Sequence, residues 1–310
     1  MERTAAIVGA GLIGRAWAMV FARAGWKVRL YDAAAGQQDI ARAHIASSLA
    51  EQQVAALVDD AAGAAARVSV VQRLADAVSG ADWVQENLPE EADVKASVFR
   101  ELDALAPPAA VLASSTSAIP ASRFTEALAG RARCLVAHPV NPPHLIPVVE
   151  LCGAPWTSAA TVERARTVMM QIGQVPVVVR RELDGFILNR LQGALLSEAM
   201  RLVGEGYVSP EDLDRTIAHG LGLRWSLMGP FATIELNAPG GVADYCARYA
   251  GFYRRLAADP PSPEVWSGVA AARVVAALGA PPTAAERDRR MDERDRQLLA
   301  LARHKRGQSG

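Results

Sequence analysis

Ala5-Ala6-Ile7-Val8-Gly9-Ala10-Gly11-Leu12-Ile13-Gly14 opens as an apolar run and closes on three glycines spaced two and three residues apart. Such a stretch predicts a buried strand that enters a tight turn and leaves it as a helix. In that turn Gly9 permits the bend, Gly11 leaves room for a diphosphate at the backbone, and Gly14 lets the helix pack on the strand. The helix expected over Ile13–Ala24, led in by Leu12, points free N–H groups and its positive dipole end at that diphosphate. A glycine fingerprint alone is weak evidence. Here Val28-Arg29-Leu30-Tyr31 follows and ends in Asp32, an acid about 20 residues on that can accept hydrogen bonds from a ribose diol. The stretch reads as a dinucleotide site. Because Asp32 repels an added phosphate and no arginine lies in Ala33-Ala34-Ala35-Gly36, it favours NAD over NADP.

Outward from this turn, short apolar runs alternate with helical patterns. Strands are expected at Ala5–Val8, Val28–Tyr31, Val68–Val70, Trp83–Gln85, Val111–Ala113, Cys134–Ala137, Val148–Leu151 and Val175–Val179. Helical stretches such as Ala92–Leu105 and Thr161–Ile172 separate them, which predicts an α/β fold with a Rossmann-like, doubly wound, mainly parallel sheet. After Arg180 the strand signals stop. Phe186, Ile187, Leu191, Leu195, Leu196, Met200 and Leu202 recur at helical spacing, and Ser209-Pro210-Glu211-Asp212 has the form of a capped helix start. Further helices are expected near Gly241–Ala257, Glu264–Leu278 and Ala284–Arg306. The chain is therefore divided into a nucleotide-binding domain over 1–182 and an all-α domain over 183–310.

The length of 310 residues supports two domains. Lys and Arg number 33, as do Asp and Glu, so no overall field draws the chain to nucleic acid or an anionic membrane. Cys134, Cys152 and Cys246 lie far apart, which speaks against a metal cluster or a disulfide framework. No apolar stretch reaches the roughly 18 residues of a membrane span, and no signal-type leader precedes the first strand. A cytoplasmic location and a small-molecule substrate are the expectation. The dense mixed charge of Glu286–Arg296 reads as a solvated helix face.

A dehydrogenase needs a base tuned near neutrality to take the hydroxyl proton as hydride leaves. His138, placed after the strand Cys134–Ala137, suits that task, and Glu150 on the next strand can fix its tautomer and stabilise the imidazolium. Pro139, Pro142, Pro143 and Pro147 stiffen the turn between them. Taken alone, a histidine before a proline-rich turn is more often a cap or a packing residue than a base.

Gly9–Gly14, Ser114-Ser115-Thr116-Ser117, His138-Pro139-Val140-Asn141-Pro142-Pro143, Val149-Glu150-Leu151 and Asp184-Gly185-Phe186-Ile187-Leu188-Asn189-Arg190 together resemble the 3-hydroxyacyl-CoA dehydrogenase family. Asn87-Leu88-Pro89-Glu90 and Gly220-Leu221-Gly222-Leu223-Arg224 are most similar to its lambda-crystallin branch. The resemblance spans both domains. It implies NAD as cofactor, His138 as base, Glu150 as its partner, Ser117 as a donor to the substrate hydroxyl, and Asn189 as a donor to the carbonyl reached from the second domain. It also implies that Glu90 and Lys95 border the nicotinamide half, and that a homodimer forms through the helical domain.

The chain departs from the family in one respect. Holding a nucleotide tail calls for cations after the second strand, yet Gly36–Ala66 contains only Arg42, beside Asp39, Glu51, Asp59 and Asp60. A free L-3-hydroxy acid, L-gulonate being the branch's example, therefore fits better than an acyl-CoA, and Arg224 offers a guanidinium fork for its carboxylate. A 3-hydroxyacyl-CoA or carnitine-type substrate, or a non-catalytic nicotinamide-binding or bulk structural role, stands as the alternative.

Overall fold

The computed structural model describes residues 3–306 apart from Ala35. Two compact units are present, one running to Asn189 and resuming at Arg287, the other comprising Arg190–Glu286. This differs from the expected 1–182 and 183–310, because the final helix groups with the nucleotide-binding unit.

The first unit is built on one eight-stranded sheet: β1 (Thr4–Val8), β2 (Lys27–Tyr31), β3 (Val68–Val70), β4 (Trp83–Glu86), β5 (Val111–Ser114), β6 (Cys134–Pro139), β7 (Val148–Gly153) and β8 (Val175–Val179). Their spatial order is β3-β2-β1-β4-β5-β6-β7-β8. All neighbours run parallel except β6 and β7, which are antiparallel. Residues 140–147 are too few for the crossover of a dozen or more residues that a parallel pair requires. Helices α1 (Leu12–Arg23), α2 (Gln37–Val54), α3 (Ala61–Ala66), α4 (Leu74–Val78), α5 (Ala92–Leu105), α6 (Ser122–Thr125) and α7 (Ala159–Gln171) supply the connections.

All five residues of β1 are buried, as expected of a strand covered on both faces. On one side of the sheet Ile7 and Leu30 pack with Trp17, Phe21 and Trp83. On the other, Val8 and Val84 pack with Phe99, Leu102 and Phe124. Each such side chain, taken fully out of water, stabilises the fold by about 1.5–3 kcal/mol. The strand order reverses between β1 and β4, so the crevice at their carboxyl ends is where a doubly wound sheet takes its ligand.

Beyond α8 (Leu188–Gly204), the second unit contains α9 (Pro210–Thr216), a π-helical turn over Ile217–Leu221, α10 (Gly222–Trp225), α11 (Pro230–Leu236), α12 (Gly241–Ala257) and α13 (Gly268–Leu278). Ser209 caps α9 by accepting from Asp212 N–H at 3.1 Å. The single helix expected over Glu264–Leu278 is interrupted. Ser262 caps a 3-10 turn over Pro263–Trp266, and Gly268 restarts the chain at φ +63°. The last helix, α14 (Ala284–Arg306), carries local ion pairs such as Arg296–Glu293. It buries Leu299 against Leu57 and Leu145 of the first unit, and Arg306 donates to Leu57 O at 2.8 Å. Among the described residues no helix is long and apolar enough to cross a membrane, and no cluster of three or more His, Cys, Asp or Glu could hold a metal.

Candidate active site

The glycine turn has the shape a dinucleotide needs. Gly9 sits at φ +94°, where a side chain would also meet the Asn87 carbonyl 2.8 Å away. A Cβ on Gly14 would overlap the Gly9 carbonyl, whereas one on Gly11 would meet nothing within 4 Å. Gly11 thus faces open space beside the start of α1, which has no side-chain cap, and the first N–H groups of that helix are left for an anion. Asp32 is held ready by the backbone: Ala10 N–H donates to Oδ2 at 2.7 Å and Ala34 N–H to Oδ1 at 2.8 Å. Gln38 ties the Asp32 carbonyl at 2.7 Å. These residues fit NAD: Gly11–Ile13 would hold its diphosphate and Asp32 a ribose.

Across the crevice, Asn87 follows β4 and donates through Nδ2 to Val8 O and Gln85 O at 3.2 and 2.9 Å. Its Oδ1 accepts from the Ser115 hydroxyl at 2.7 Å, and Ser115 in turn accepts from Trp17 Nε1 and Gln85 Nε2. This chain of polar groups, closed at every member, fixes the floor of the crevice.

His138 lies within β6, one residue before the end of that strand, and the antiparallel register sets it directly opposite Glu150 on β7. Their bond, Nδ1 to Oε2, is 2.8 Å. Glu150 Oε1 accepts from Ile187 N–H at 2.8 Å and Leu188 N–H at 3.0 Å. Burial alone would raise the Glu150 pKa, but the histidine and these two N–H groups outweigh it and hold the carboxyl below its ordinary range. The preceding turn is strained to deliver them: Gly185 is at φ +74° and Phe186 at +47°, a region bulky residues rarely occupy. Phe186 is completely buried, with its ring centroid 5.7 Å from that of His138.

A second histidine, His144 in the link between β6 and β7, has no such carboxylate. Burial and the Arg23 guanidinium push its pKa down to about 3, so it stays neutral. Arg23 also donates to the His144 carbonyl at 2.7 Å, which pins the loop from behind.

Ser117 follows β5 on the same edge. Its carbonyl accepts from Asn189 Nδ2 at 2.8 Å, which brings Asn189, the last residue of the first unit before the chain divides, to the Ser117 turn. Glu90 Oε1 accepts from the Thr116 hydroxyl at 2.5 Å and from Ser117 and Ala118 N–H at 2.9 Å each. Burial would raise the Glu90 pKa, yet these donors and Lys95 together lower it. Lys95 is buried and its Nζ lies 3.1 Å from Glu86 Oε1. Arg224 belongs to the other unit, on α10, where its side chain is exposed.

Sequence reasoning passed over Glu86 and Phe186 as site residues. The signal for Glu86 was a carboxylate ending a wholly buried strand, which must find partners. For Phe186 it was a bulky residue directly after Gly185, at a turn that required a donor pair.

Known proteins match along nearly the whole length. The NAD binding domain of 3-hydroxyacyl-CoA dehydrogenase matches residues 4–183, and the C-terminal domain of the same family matches 185–272. Lambda-crystallin of Oryctolagus cuniculus is 42% identical over 305 residues, covering 97% of this chain and 95% of its own. L-carnitine dehydrogenase of Streptomyces coelicolor is 36% identical over 294 residues, covering 93% and 92%. A solved structure of an NAD+-dependent dismutase, 5-formyl-3-hydroxy-2-methylpyridine 4-carboxylic acid 5-dehydrogenase, superposes with a TM-score of 0.83 at 32% identity over 98% of each chain. With both its domains matched in order, the chain belongs to the 3-hydroxyacyl-CoA dehydrogenase family.

Proposed function

We propose that the protein oxidises the 3-hydroxyl of a small, free L-3-hydroxy acid, of which L-gulonate is the example, using NAD. The observation that carries this reading is the 2.8 Å bond between His138 Nδ1 and Glu150 Oε2 at the carboxyl end of the sheet. With Nδ1 committed to Glu150, Nε2 is the nitrogen left to take a proton from a substrate hydroxyl. NAD, when bound, supplies the hydride acceptor. Glu150 cannot swing away, because Ile187 and Leu188 hold its other oxygen, so its charge is in place when the imidazolium forms. Asn189 spends one N–H on Ser117 and retains a second for the developing carbonyl. Ser117 offers its hydroxyl to the substrate oxygen, and Arg224 is assigned to the carboxylate.

The preference for a free acid rests on charge. Helix α2 has Arg42 as its one cation against Asp39 and Glu51, which is a poor surface for a nucleotide phosphate. Pairing into a homodimer through the helical unit completes the proposal, supported by apolar side chains left at its surface, among them Phe231 and Leu236 at 75% and 73% exposure.

The test is a substrate panel followed at the absorbance of reduced nicotinamide: L-gulonate, L-carnitine, L-3-hydroxybutyrate and the CoA thioester of the last, each with NAD. Free acids should exceed the thioester in kcat/KM by at least about tenfold, or 1.4 kcal/mol in transition-state binding. A preference for the thioester would overturn the substrate class, and no turnover of any member would overturn the dehydrogenase reading.

A further inference from the structure

At the carboxyl ends of β4 and β5, three ionisable side chains form a cluster whose charges do not cancel. Glu86 is completely buried. Its oxygens accept from Lys95 Nζ at 3.1 and 3.2 Å, from Leu88 N–H at 2.6 Å and from the Ser114 hydroxyl at 2.5 Å. Lys95, equally buried, lies 3.3 Å from the Leu88 carbonyl, a third acceptor. An ammonium has three protons, and each has a protein acceptor. Lys95 is therefore turned into the protein rather than toward the crevice. Glu90 Oε2 lies 3.8 Å from the same Nζ, while its Oε1 is filled by Thr116, Ser117 and Ala118. Two carboxylates thus face one ammonium. The surplus negative charge falls to Glu90, whose side chain is 40% exposed where the other two are 1% or less.

A doubly wound sheet binds a dinucleotide in two halves. Asp32 marks the β1–β3 half for one nucleoside, so the half that begins at β4 takes the other. That nucleoside is the nicotinamide one, since His138 stands on the same half at β6. The nicotinamide ring is cationic in NAD+ and neutral in NADH. Resting on the dehydrogenase reading above, we propose that the Glu86–Lys95–Glu90 cluster favours the oxidised cofactor over the reduced one. Glu86 is its positioning residue: by satisfying Lys95 it leaves the charge of Glu90 unspent. Without Glu86, Lys95 pairs with Glu90 and the surplus disappears. Glu150, the carboxylate bonded to His138, is shared by every variant considered and is offset only when His138 takes a proton.

Binding of NAD+ and of NADH to the intact protein, each titrated by quenching of tryptophan fluorescence, gives the ratio of the two dissociation constants. Glu90→Gln and Glu86→Gln each remove one negative charge and should shift that ratio about tenfold toward NADH, the order expected for one charge a few ångströms away at an effective dielectric near 20. The double variant E86L/K95M removes a balanced pair and should keep the ratio within about twofold of wild type. An unchanged ratio in Glu90→Gln, or equal weakening of both cofactors, would reduce the cluster to a structural role and overturn the proposal. Glu90 is partly exposed, so that variant decides the matter even where Glu86→Gln fails to fold. Failure of the wild type to bind either cofactor would instead overturn the dehydrogenase reading.

Discussion

The two units of the chain treat their apolar side chains in opposite ways. The sheet unit hides Trp17, Trp83, Phe21 and Phe99 completely. The helical unit leaves Leu191, Tyr207, Phe231, Leu236, Val269 and Leu278 each more than 60% exposed, and among its hydrophobic residues only Ala238 and Val265 are buried. Helix α12 illustrates the contrast: seventeen residues with aromatic Tyr245, Tyr249, Phe252 and Tyr253, and not one of them buried. A unit with a closed core can hold the His138–Glu150 pair rigid by itself, whereas open apolar faces are what the proposed association would cover.

If that contrast is right, the largest effect comes from the closed unit. His138→Ala should lower kcat by about 10²–10⁴-fold, the usual contribution of general-base catalysis, with NAD affinity nearly unchanged. A variant keeping half the wild-type rate would remove His138 from the role. The open unit should respond in assembly rather than chemistry. Phe231→Glu with Leu236→Glu on α11 should convert a dimer to a monomer by light scattering, each such change at an interface centre costing about 2 kcal/mol or more. A wild type already monomeric at micromolar concentration would break the comparison outright.

Arg224 tests whether the helical unit also serves the substrate. Arg224→Met should raise KM for the acid by roughly tenfold to a hundredfold, as loss of a charge-assisted pair worth about 1.5–3 kcal/mol implies, and leave NAD binding intact. The smallest effect concerns pH. The native pKa values of Glu90 and Glu150 are depressed, so the stability they confer is complete above the unfolded carboxylate value of about 4.3 and is lost as pH falls through the native one. The melting temperature should fall below about pH 4, less steeply in Glu90→Gln. Asp244→Asn should change that slope little, because its ion pair with Arg248 is solvated.

The same contrast governs what could be read from the sequence. Val68–Val70, Val175–Val179 and Ala92–Leu105 form with the boundaries their apolar patterns predict, although Val175, Val177 and Val178 stay exposed: the pattern marks the element, not how deeply it is buried. The antiparallel turn of β6 onto β7 was not drawn from the sequence, although the short link between Pro139 and Val148 contained it. It is this turn that sets His138 opposite Glu150, and it extends β6 past the expected end at Ala137. The network of Glu86 was illegible for a different reason. Its donors come from residues 88, 95 and 114: the turn after β4, helix α5 and the pairing of β4 with β5 each bring one to the same carboxylate. Lys95 has no sequence mark that separates a buried ammonium from a solvated one.

Helix α14 gives the first unit an unusual order of completion during synthesis. Leu57 and Leu145 emerge from the ribosome well before Leu299, their cover, with the whole of Arg190–Glu286 made in between. At about 5–20 residues per second, that segment alone takes on the order of 5–20 s. Throughout that interval the nascent sheet unit presents a leucine patch that only the last part of the chain closes, so an arrested or truncated chain would display it to chaperones and to other copies of itself.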